Sequence, residues 1–280
     1  MALGAGGAFH AKLSRRKLPG AHVQRAWTNL PQVLLAGVTD RAVFHVAPPH
    51  EGAVVLNGRR LLPGEVALCP AGGEVHVRTE AGAAWNTMSF TLDDFARATR
   101  NVLGWLVESP QAGIRFVRPS TERTQRLLRL RAALACTDDD APSSQMLQAA
   151  MIEAAAACFD GGTSVRERLG ERRALAAVAR LEQLATASAG SPQTLGAICA
   201  AMAIPVRTLN TACHAVLGMG AARYLRQRRL HEVRRALLRG EGNVTQAAMA
   251  QGFWELGRFS AEYRAAFAEY PSETARRRGA

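Results

Sequence analysis

The first half of the chain alternates short apolar runs with turn residues, which is the pattern of β-strands. Val75 and Val77 alternate with polar and charged neighbours, as on a strand that has one face in water. Asn57-Gly58 lies between two such runs and predicts a tight hairpin, because both residues tolerate positive φ. The predicted strands cover residues 33–38, 42–46, 54–56, 65–68, 74–78 and 85–90. Their length and spacing predict a small β-sandwich or jelly-roll barrel.

From residue 92 onward, apolar residues recur at intervals of three and four, which is the period of a helix. The predicted helices cover residues 92–106, 121–135, 143–159, 165–187, 193–202, 205–217, 220–239, 244–251, 255–268 and 272–278. No strand is predicted after residue 90. The expected fold class is therefore α+β, with a β-rich N-terminal half followed by an all-helical C-terminal half.

Charge and composition narrow the class of partner. The 280 residues include 35 Lys and Arg against 23 Asp and Glu, a net charge of +12. From Ser188 onward there are thirteen Arg, no Lys and six acidic residues, which favours a polyanionic partner.

The five cysteines form no C-x-x-C pair, so we expect a reducing compartment and no zinc. No apolar run is long enough to span a bilayer, and residues 1–20 make a poor signal peptide, so we expect a cytoplasmic protein without a membrane partner.

Residues 195–217 have the pattern of a helix-turn-helix unit. Two short helical patterns are separated by about three residues, and Pro205 opens the second one at the favoured first position. Its predicted buried face consists of Leu209, Ala212, Cys213 and Val216. Its opposite face carries Arg207, Asn210, Thr211 and His214. Such polar side chains suit the donors and acceptors on base edges in a major groove.

The same arrangement recurs in residues 244–268. The second helix of this unit has an apolar seam of Phe259, Tyr263 and Phe267, and its predicted outward residues are Leu256, Gly257, Arg258 and Ala261. The helix 220–239 between the two units spans about 30 Å at 1.5 Å per residue. That length is close to the ~34 Å between successive major grooves on one side of B-DNA. One chain is therefore expected to read two adjacent grooves of double-stranded DNA.

Three segments carry a resemblance to a known family: Tyr224-Leu-Arg-Gln-Arg-Arg-Leu230, Gly252-Phe-Trp-Glu-Leu-Gly-Arg-Phe-Ser-Ala-Glu-Tyr263 and Phe267-Ala-Glu-Tyr-Pro-Ser272. They resemble the DNA-binding domain of AraC/XylS-family transcription regulators over about the last ninety residues. The stretch Phe-Trp-Glu-Leu-Gly-Arg-Phe is similar to the subgroup of the ethanolamine-operon regulator. The chain departs from the family pattern at three positions: Ala203 replaces the usual turn Gly, Cys213 the usual core Phe, and Ala268 the Gly before Pro-Ser.

The resemblance implies a role for several residues. It places base contacts at Arg207, Asn210 and Thr211 in the first unit and at Leu256, Gly257, Arg258 and Ala261 in the second, and the polar face adds His214. We expect phosphate contacts from Arg223, Arg226 and Arg264. The expected protein is a sequence-specific regulator of transcription, of activator type, that works as a homodimer, with RNA polymerase as a further partner. Its domains are expected to be a flexible basic tail (1–20), a cupin-like sensing domain (21–108), a helical linker used for dimerisation (109–164) and the DNA-binding domain (165–280).

The expected ligand of the N-terminal domain is a small-molecule effector. Candidate contacts in an apolar pocket are Phe44, Arg59, Arg78 and Trp85. A cupin metalloenzyme is an alternative, with His45, His50, Glu51 and His76 as possible ligands, but the His-x-His motif followed by Glu is missing. The run Asp138-Asp139-Asp140 is interpreted as a solvated turn. A non-specific nucleic-acid-binding or protein-interaction module is the other alternative. We expect no enzyme activity, cofactor or metal.

Overall fold

The computed structural model of the protein describes residues 8–37, 40–46, 52–108, 110, 113–136, 142–161, 163–165, 169–187 and 192–277. The chain divides into two compact units. The first, here called the β-rich unit, comprises residues 11–29 and 34–168, and the second, the helical unit, is formed mainly by the chain from residue 169 onward. The α+β fold class, β-rich first and helical afterwards, is confirmed.

The β-rich unit contains eleven strands in the described part of the chain. They are β1 (Ala11–Lys17), β2 (Ala21–Thr28), β3 (Gln32–Gly37), β4 (Arg41–Val46), β5 (Val54–Leu56), β6 (Arg59–Leu61), β7 (Val66–Cys69), β8 (Glu74–Thr79), β9 (Ala84–Thr91), β10 (Arg115–Arg118) and β11 (Thr163–Val165). Its helices are α1 (Leu92–Leu103), α2 (Thr121–Cys136) and α3 (Pro142–Ala157). The six predicted strands are all present, with ends that differ by at most one residue.

The strands form two sheets. One has seven strands in the order β1-β2-β9-β4-β7-β10-β11, and the other has four in the order β3-β8-β5-β6. The predicted hairpin joins β5 to β6, where Leu56 pairs with Arg59 and the turn residues Asn57 and Gly58 have φ of 49° and 86°. Positive φ at both positions is the conformation that this type of two-residue turn requires.

The expectation of a flexible tail over residues 1–20 is wrong for its second half. Residues 11–17 form β1, which pairs with β2 along its whole length from Ala11 to Lys17. The Arg16 guanidinium also donates a hydrogen bond to the carbonyl of Leu134 in α2. The strand is mostly exposed and polar because it lies at the edge of the sheet, and that polarity explains why it resembles a tail in the sequence.

Strand alternation gives the seven-stranded sheet two different apolar faces. One face packs against α1, α2 and α3, so the predicted linker helices belong to the core of the β-rich unit. Phe44 lies at the centre of this core, with its ring centroid 5.4 Å from Phe90, 5.1 Å from Phe95 and 6.2 Å from Phe159. The other face packs against the four-stranded sheet through a second core that includes Trp85.

The helical unit contains α4 (Leu169–Ala187), α5 (Leu195–Met202), α6 (Val206–Leu217), α7 (Ala221–Arg239), α8 (Val244–Ala250), α9 (Leu256–Phe267) and α10 (Pro271–Arg276). All seven of these helices were predicted, with starts that differ by at most four residues. No single helix in the described ranges has the length and mean hydropathy of a membrane span. The pair α5 and α6 reaches that hydropathy only when joined across a bend of 97°.

The helical unit has one apolar core for each half. The first core joins α4, α5 and α6 with the start of α7, and it includes Cys213, which is fully buried. The second joins the rest of α7 with α8, α9 and α10 around Phe259 and Tyr263. Because α7 contributes to both cores, it connects two small helical bundles in one continuous rod of 19 residues, about 28 Å long.

Candidate nucleic-acid interface

Helices α5 and α6 form the first helix-turn-helix unit. The side chain of Thr194 begins α5 by accepting a hydrogen bond from the amide of Ala197 at 3.2 Å. Ala203 ends α5 in the left-handed conformation, with φ of 51° and ψ of 38°, and α6 starts three residues later. The 97° bend between the helices lies within the range of helix-turn-helix motifs. The first predicted unit therefore has the expected geometry.

The second helix of this unit presents the predicted polar face. Arg207, Thr211 and His214 are exposed, and the hydroxyl of Thr211 donates to the carbonyl of Arg207 at 3.0 Å. The opposite face packs into the first core through the four predicted residues Leu209, Ala212, Cys213 and Val216. The helical period thus separates the two faces as expected.

Asn210 differs from the other three polar residues. It is half-buried, and its Oδ1 accepts a hydrogen bond from the backbone N–H of Ala221 at 2.9 Å. Ala221 is the first residue of α7, whose preceding residue Gly220 makes no side-chain cap. Asn210 therefore satisfies one of the free N–H groups at the start of α7, and its oxygen is engaged within the domain rather than available to a base.

Helices α8 and α9 form the second helix-turn-helix unit. Asn243 and Gln246 begin α8 with a reciprocal capping box, in which each side chain accepts a hydrogen bond from the other residue's N–H at 2.9 and 3.0 Å. Gly252, with φ of 74°, supplies the left-handed turn before α9. Phe259 and Tyr263 are buried with their rings 5.7 Å apart, and Phe267 packs beside them, so the predicted apolar seam is the face of α9 in the second core.

The exposed face of α9 carries three of the four predicted residues. Gly257, Arg258 and Ala261 are exposed, and a Cβ added to Gly257 would meet nothing within 4 Å. Leu256 does not share this face, because it is half-buried and packs against the second core. The prediction that Leu256 faces outward is therefore wrong, whereas its base contact stays a prediction.

Glu262 connects two of the predicted arginines. Its Oε1 accepts a hydrogen bond from Nε of Arg258 at 3.0 Å and from Nη2 of Arg226 at 2.8 Å, and its Oε2 accepts from Nε of Arg226 at 2.5 Å. Burial raises the pKa of Glu262, but the hydrogen bonds and charges of the two arginines outweigh burial and hold that pKa below its ordinary value. Glu262 therefore stays ionised and fixes the Nε side of the exposed Arg258 guanidinium, which leaves its outer nitrogens directed away from the bond.

The three predicted phosphate-binding arginines have different surroundings. Arg223 is exposed on α7. Arg226 is held by Glu262 and lies 5.6 Å from the ring centre of Phe253. Arg264 is exposed, donates to the hydroxyl of Tyr270 at 2.7 Å and lies 4.7 Å from the centre of that ring. Arg223 and Arg264 thus remain accessible from solvent, and the side chain of Arg226, though 41% exposed, is also held in place by Glu262.

Sequence reasoning missed two residues near this surface. Trp254 precedes the start of α9 and is 72% exposed, which is unusual for the largest aromatic side chain. Tyr270, which holds Arg264, is 42% exposed. The signal for Trp254 was present in the sequence, because a Trp directly before a predicted DNA-contacting helix has no place on that helix's buried seam.

Helix α4 is attached to the first unit by a buried polar contact. The hydroxyl of Tyr224 in α7 donates to Oε1 of Glu182 in α4, and both residues are buried. Burial and the neighbouring Glu182 raise the pKa of Tyr224, so the phenol stays protonated and able to donate. The described part of α4 is therefore fixed to the rod that joins the two helix-turn-helix units.

The structure separates the four predicted effector contacts of the β-rich unit. Trp85 and Arg59 lie in or beside the core between the two sheets, whereas Phe44 belongs to the core on the opposite face of the seven-stranded sheet. Arg78 lies on the other face of β8 from its inward neighbours Val77 and Thr79. A single pocket lined by all four is wrong, because strand alternation directs them to different sides.

Arg59 has the richest surroundings of the four. Its guanidinium donates to Oε1 of the buried Glu65 at 2.9 Å and stacks over Phe116, 3.8 Å from the ring centre. Arg118 also reaches Glu65, at 3.2 Å. Among the described residues, the buried Nη1 of Arg59 has no hydrogen-bond partner, which is a costly state for a charged donor.

The candidate metal ligands do not form a site in the described residues. His45 lies on β4 of one sheet and His76 on β8 of the other, and His50 and Glu51 lie outside the described residues, as does the run Asp138–Asp140. Burial lowers the pKa of His45 to about 4, so this imidazole is neutral at neutral pH. Within the described ranges, no three His, Cys, Asp or Glu side chains come together as a metal would require.

Comparisons with known proteins match the helical unit. A family model described as a helix-turn-helix domain matches residues 198–277. The chain is 36% identical over 76 residues to the HTH-type transcriptional activator RhaS of Pectobacterium carotovorum subsp. carotovorum (strain PC1), covering 27% of each chain. It is 39% identical over 75 residues to the XylDLEGF operon transcriptional activator 1 of Pseudomonas putida, covering 26% of this chain and 23% of that one.

A third relative extends further along the chain. The probable thc operon regulatory protein of Rhodococcus erythropolis is 31% identical over 148 residues, 49% of this chain and 45% of that protein. Among solved structures, a probable AraC family transcriptional regulator from Rhodopseudomonas palustris CGA009 is 32% identical, with a TM-score of 0.34 and coverage of 36% of this chain and 96% of that chain. The matched segments span about a quarter to a half of the length of the curated relatives.

Proposed function

The helix-turn-helix region of this chain belongs to the AraC/XylS family, and from that premise we propose that the protein is a sequence-specific DNA-binding regulator of transcription. The observation that carries the proposal is the pair of exposed helix faces, one on α6 with Arg207 and one on α9 with Arg258. Both faces lie inside the matched residues 198–277. The similarity to the ethanolamine-operon regulator subgroup stays a prediction.

The outer nitrogens of Arg207 and Arg258, together with small residues beside them, would contact the bases. Arg forms bidentate hydrogen bonds with guanine, and the open surface at Gly257 allows close approach of a groove. Thr211, His214 and Ala261 are exposed beside the two arginines. Exposed Arg223 and Arg264 would contact phosphates and give affinity that depends on salt.

The decisive experiment is a footprint on the promoter beside the protein's own gene, followed by anisotropy titrations of the protected duplex. Arg258→Ala should lose about 1–3 kcal/mol at one base pair and relax specificity there. Arg264→Ala should weaken all duplexes alike and reduce the dependence on salt. Arg180→Ala is the matched control, because Arg180 is an exposed Arg on α4 that belongs to neither predicted face. Equal binding by the parent and the Arg258 and Arg264 variants would disprove the assigned faces.

The same titrations separate the alternatives. A non-specific nucleic-acid-binding module would bind unrelated duplexes as tightly as the protected one, and a protein-interaction module would bind neither. A metalloenzyme of the cupin type would retain metal in elemental analysis of the purified protein. The relatives are named as transcriptional regulators, and that favours regulation over catalysis.

For the β-rich unit, we propose that it binds a small anionic effector. The support is Arg59, whose buried Nη1 has no hydrogen-bond partner in the described part of the chain and which lies on the side of the sheet that also carries Trp85. Arginine-lined apolar pockets bind carboxylates well, because the guanidinium offers a planar pair of donors. A thermal-shift screen with metabolites tests this, since a ligand that binds only the folded state raises the melting temperature. Loss of that shift in Arg59→Met would locate the ligand.

We also propose that the protein works as a cytoplasmic homodimer and as an activator, in contact with RNA polymerase. Support for the dimer is the exposed apolar surface at the end of α1, where Val102, Trp105 and Leu106 are 41%, 49% and 37% exposed. Support for activation is the naming of two relatives as activators. Sedimentation of Trp105→Glu against the parent tests the dimer, and transcription from the footprinted promoter tests activation.

A further inference from the structure

A cleft of about 320 Å³ lies inside the helical unit, between its two helix-turn-helix halves. The end of α4, the residues before α5 and Ile198 of α5 line it on the side of the first half, and Gln251 lines it on the side of the second. Leu225, Arg228, Arg229, Glu232 and Arg235 of α7 line it between these two sides. The volume is at the lower end of the range for small-molecule sites. None of the residues assigned to base contact lines it.

The cleft combines an apolar lining with an excess of positive charge. Ile198 and Leu225 are buried and apolar. Of the charged side chains, Glu232 pairs with Arg235 at 3.2 Å, which leaves two arginines without a neutralising acid among the lining residues. One of them, Arg228, is held in place by a hydrogen bond from its Nη2 to the hydroxyl of Thr186 at 2.7 Å.

Arg229 is the residue that points to a ligand. It is half-buried, and its one hydrogen bond among the described residues runs from Nε to the carbonyl of Leu225 in its own helix at 3.4 Å, a weak contact. Its guanidinium lies next to the turn at Gly252, with Nη1 3.6 Å from where a Cβ would stand. Burial lowers the pKa of Arg229, and the positive charge of Arg226 lowers it further. A half-buried guanidinium in this state is stabilised by any anion that reaches its outer nitrogens.

From these contacts we propose that the cleft binds a small organic anion, an aromatic carboxylate or phosphate ester, with its acid group on Arg228 and Arg229 and its flat apolar body over Ile198 and Leu225. A free phosphate ion or a DNA phosphate would use the arginines but not the apolar lining. A ring, in contrast, covers that lining and can stack on a guanidinium. This site is separate from the effector site proposed in the β-rich unit.

A ligand here would lie between the two helix-turn-helix halves, with Ile198 of α5 on one side and Gln251 on the other. It would therefore restrict their motion about α7, and a domain already ordered loses less entropy when it binds DNA. This consequence rests on the proposed function, whereas the binding itself does not. The experiment accordingly measures binding to the full-length protein without DNA.

The test is isothermal titration calorimetry with phenyl phosphate as the probe, and with phenol and inorganic phosphate as its two halves. We expect one site per chain for phenyl phosphate and at least tenfold weaker binding of each half. Arg229→Met keeps the length and the apolar stem but removes the charge, and it should weaken phenyl phosphate at least tenfold. Arg180→Met on the exposed surface of α4 is the matched control and should change the affinity less than twofold. Arg228→Met is the second variant, in case the first does not fold by circular dichroism.

Three results would overturn the proposal. Unchanged binding of phenyl phosphate by folded Arg229→Met and Arg228→Met would show that the cleft is not the site. Inorganic phosphate bound as tightly as phenyl phosphate would show a simple ion site with no use for the apolar lining. A tenfold loss of duplex affinity in Arg229→Met without phenyl phosphate binding by the parent would assign the cleft to the DNA backbone. Phenyl phosphate binding without any footprint would instead uphold the cleft and refute the proposed function.

Discussion

Two alanines end helices in a conformation that normally favours glycine. Ala203 at the end of α5 has φ of 51°, and Ala268 at the end of α9 has φ of 57°. Each uses its N–H to close the last helical turn, Ala203 to the carbonyl of Ala200 at 3.1 Å and Ala268 to that of Arg264 at 2.8 Å. These are also the two positions where the AraC/XylS pattern usually has Gly. The structure therefore keeps the left-handed turns but pays a steric cost at each Cβ.

The two alanines and glycine differ in two opposing terms. The left-handed conformation of a residue with a Cβ costs roughly 1–2 kcal/mol. Glycine avoids this cost but loses more backbone entropy on folding, by about 0.5–1 kcal/mol relative to alanine. Both methyl groups are exposed, so their removal sacrifices no packing. We expect Ala203→Gly and Ala268→Gly each to stabilise the helical unit by about 0.5–1 kcal/mol, and together by about 1–2 kcal/mol, since distant sites add.

The matched control is Ala265→Gly, which is exposed, lies in the same helix as the turn at Ala268 and has ordinary helical geometry. Glycine there should destabilise by about 1 kcal/mol. Urea-dependent hydrogen exchange of amides in α7 and α9 reports the free energy of unfolding of the helical unit within the full chain. If Ala268→Gly lowers that free energy as much as Ala265→Gly does, the argument from backbone strain is wrong.

Three further predictions follow from buried or ionised groups. Glu262→Gln loosens Arg258 and removes a negative charge, so the ratio of operator to unrelated-duplex affinity should fall about fivefold in anisotropy titrations while non-specific affinity rises; an unchanged ratio would disprove its positioning role. Tyr224→Phe removes the donor to buried Glu182 and should cost about 1–3 kcal/mol by hydrogen exchange, and a neutral result would make that contact dispensable. Because the folded pKa of His45 is about 4 and the unfolded one 6.5, the unfolded chain binds the extra proton between these values. The β-rich unit should therefore lose about 3 kcal/mol as pH falls from 6.5 to 4; calorimetry of His45→Gln should show a flatter pH dependence, and an equal slope would refute it.

Periodicity predicted most of the fold. The alternation of apolar and polar residues predicted β8, and the recurrence of apolar residues every three or four positions predicted α6 and α9 with their buried and exposed faces. Each pattern reflects which side of an element is buried. β1 was missed because an edge strand needs no apolar face, so its basic sequence looks like a solvated tail. β2 was missed beside it, although its buried and exposed residues alternate in the structure.

The partners of individual side chains could not be predicted in the same way. Asn210, Leu256 and Arg226 all have polar or outward positions in a helical projection of the sequence. In the structure, Asn210 bonds to Ala221, Leu256 packs against the second core and Arg226 pairs with Glu262. Each of these contacts depends on where another helix lies. A helical projection reports the direction of a side chain but not what meets it there. The predicted effector residues Phe44 and Trp85 were assigned to one pocket, although they lie on opposite faces of the seven-stranded sheet. The sequence does not distinguish these faces, because both are buried.

The bond between Asn210 and the start of α7 has a consequence for protein engineering. A library intended to retarget the regulator to a new promoter would naturally vary all four polar positions of α6. Variation at Asn210 would change how α7 is anchored to α6. It would therefore shift the second helix-turn-helix unit relative to the first instead of changing the preference for one base pair. Retargeting libraries should hold Asn210 constant and diversify Arg207, Thr211 and Arg258.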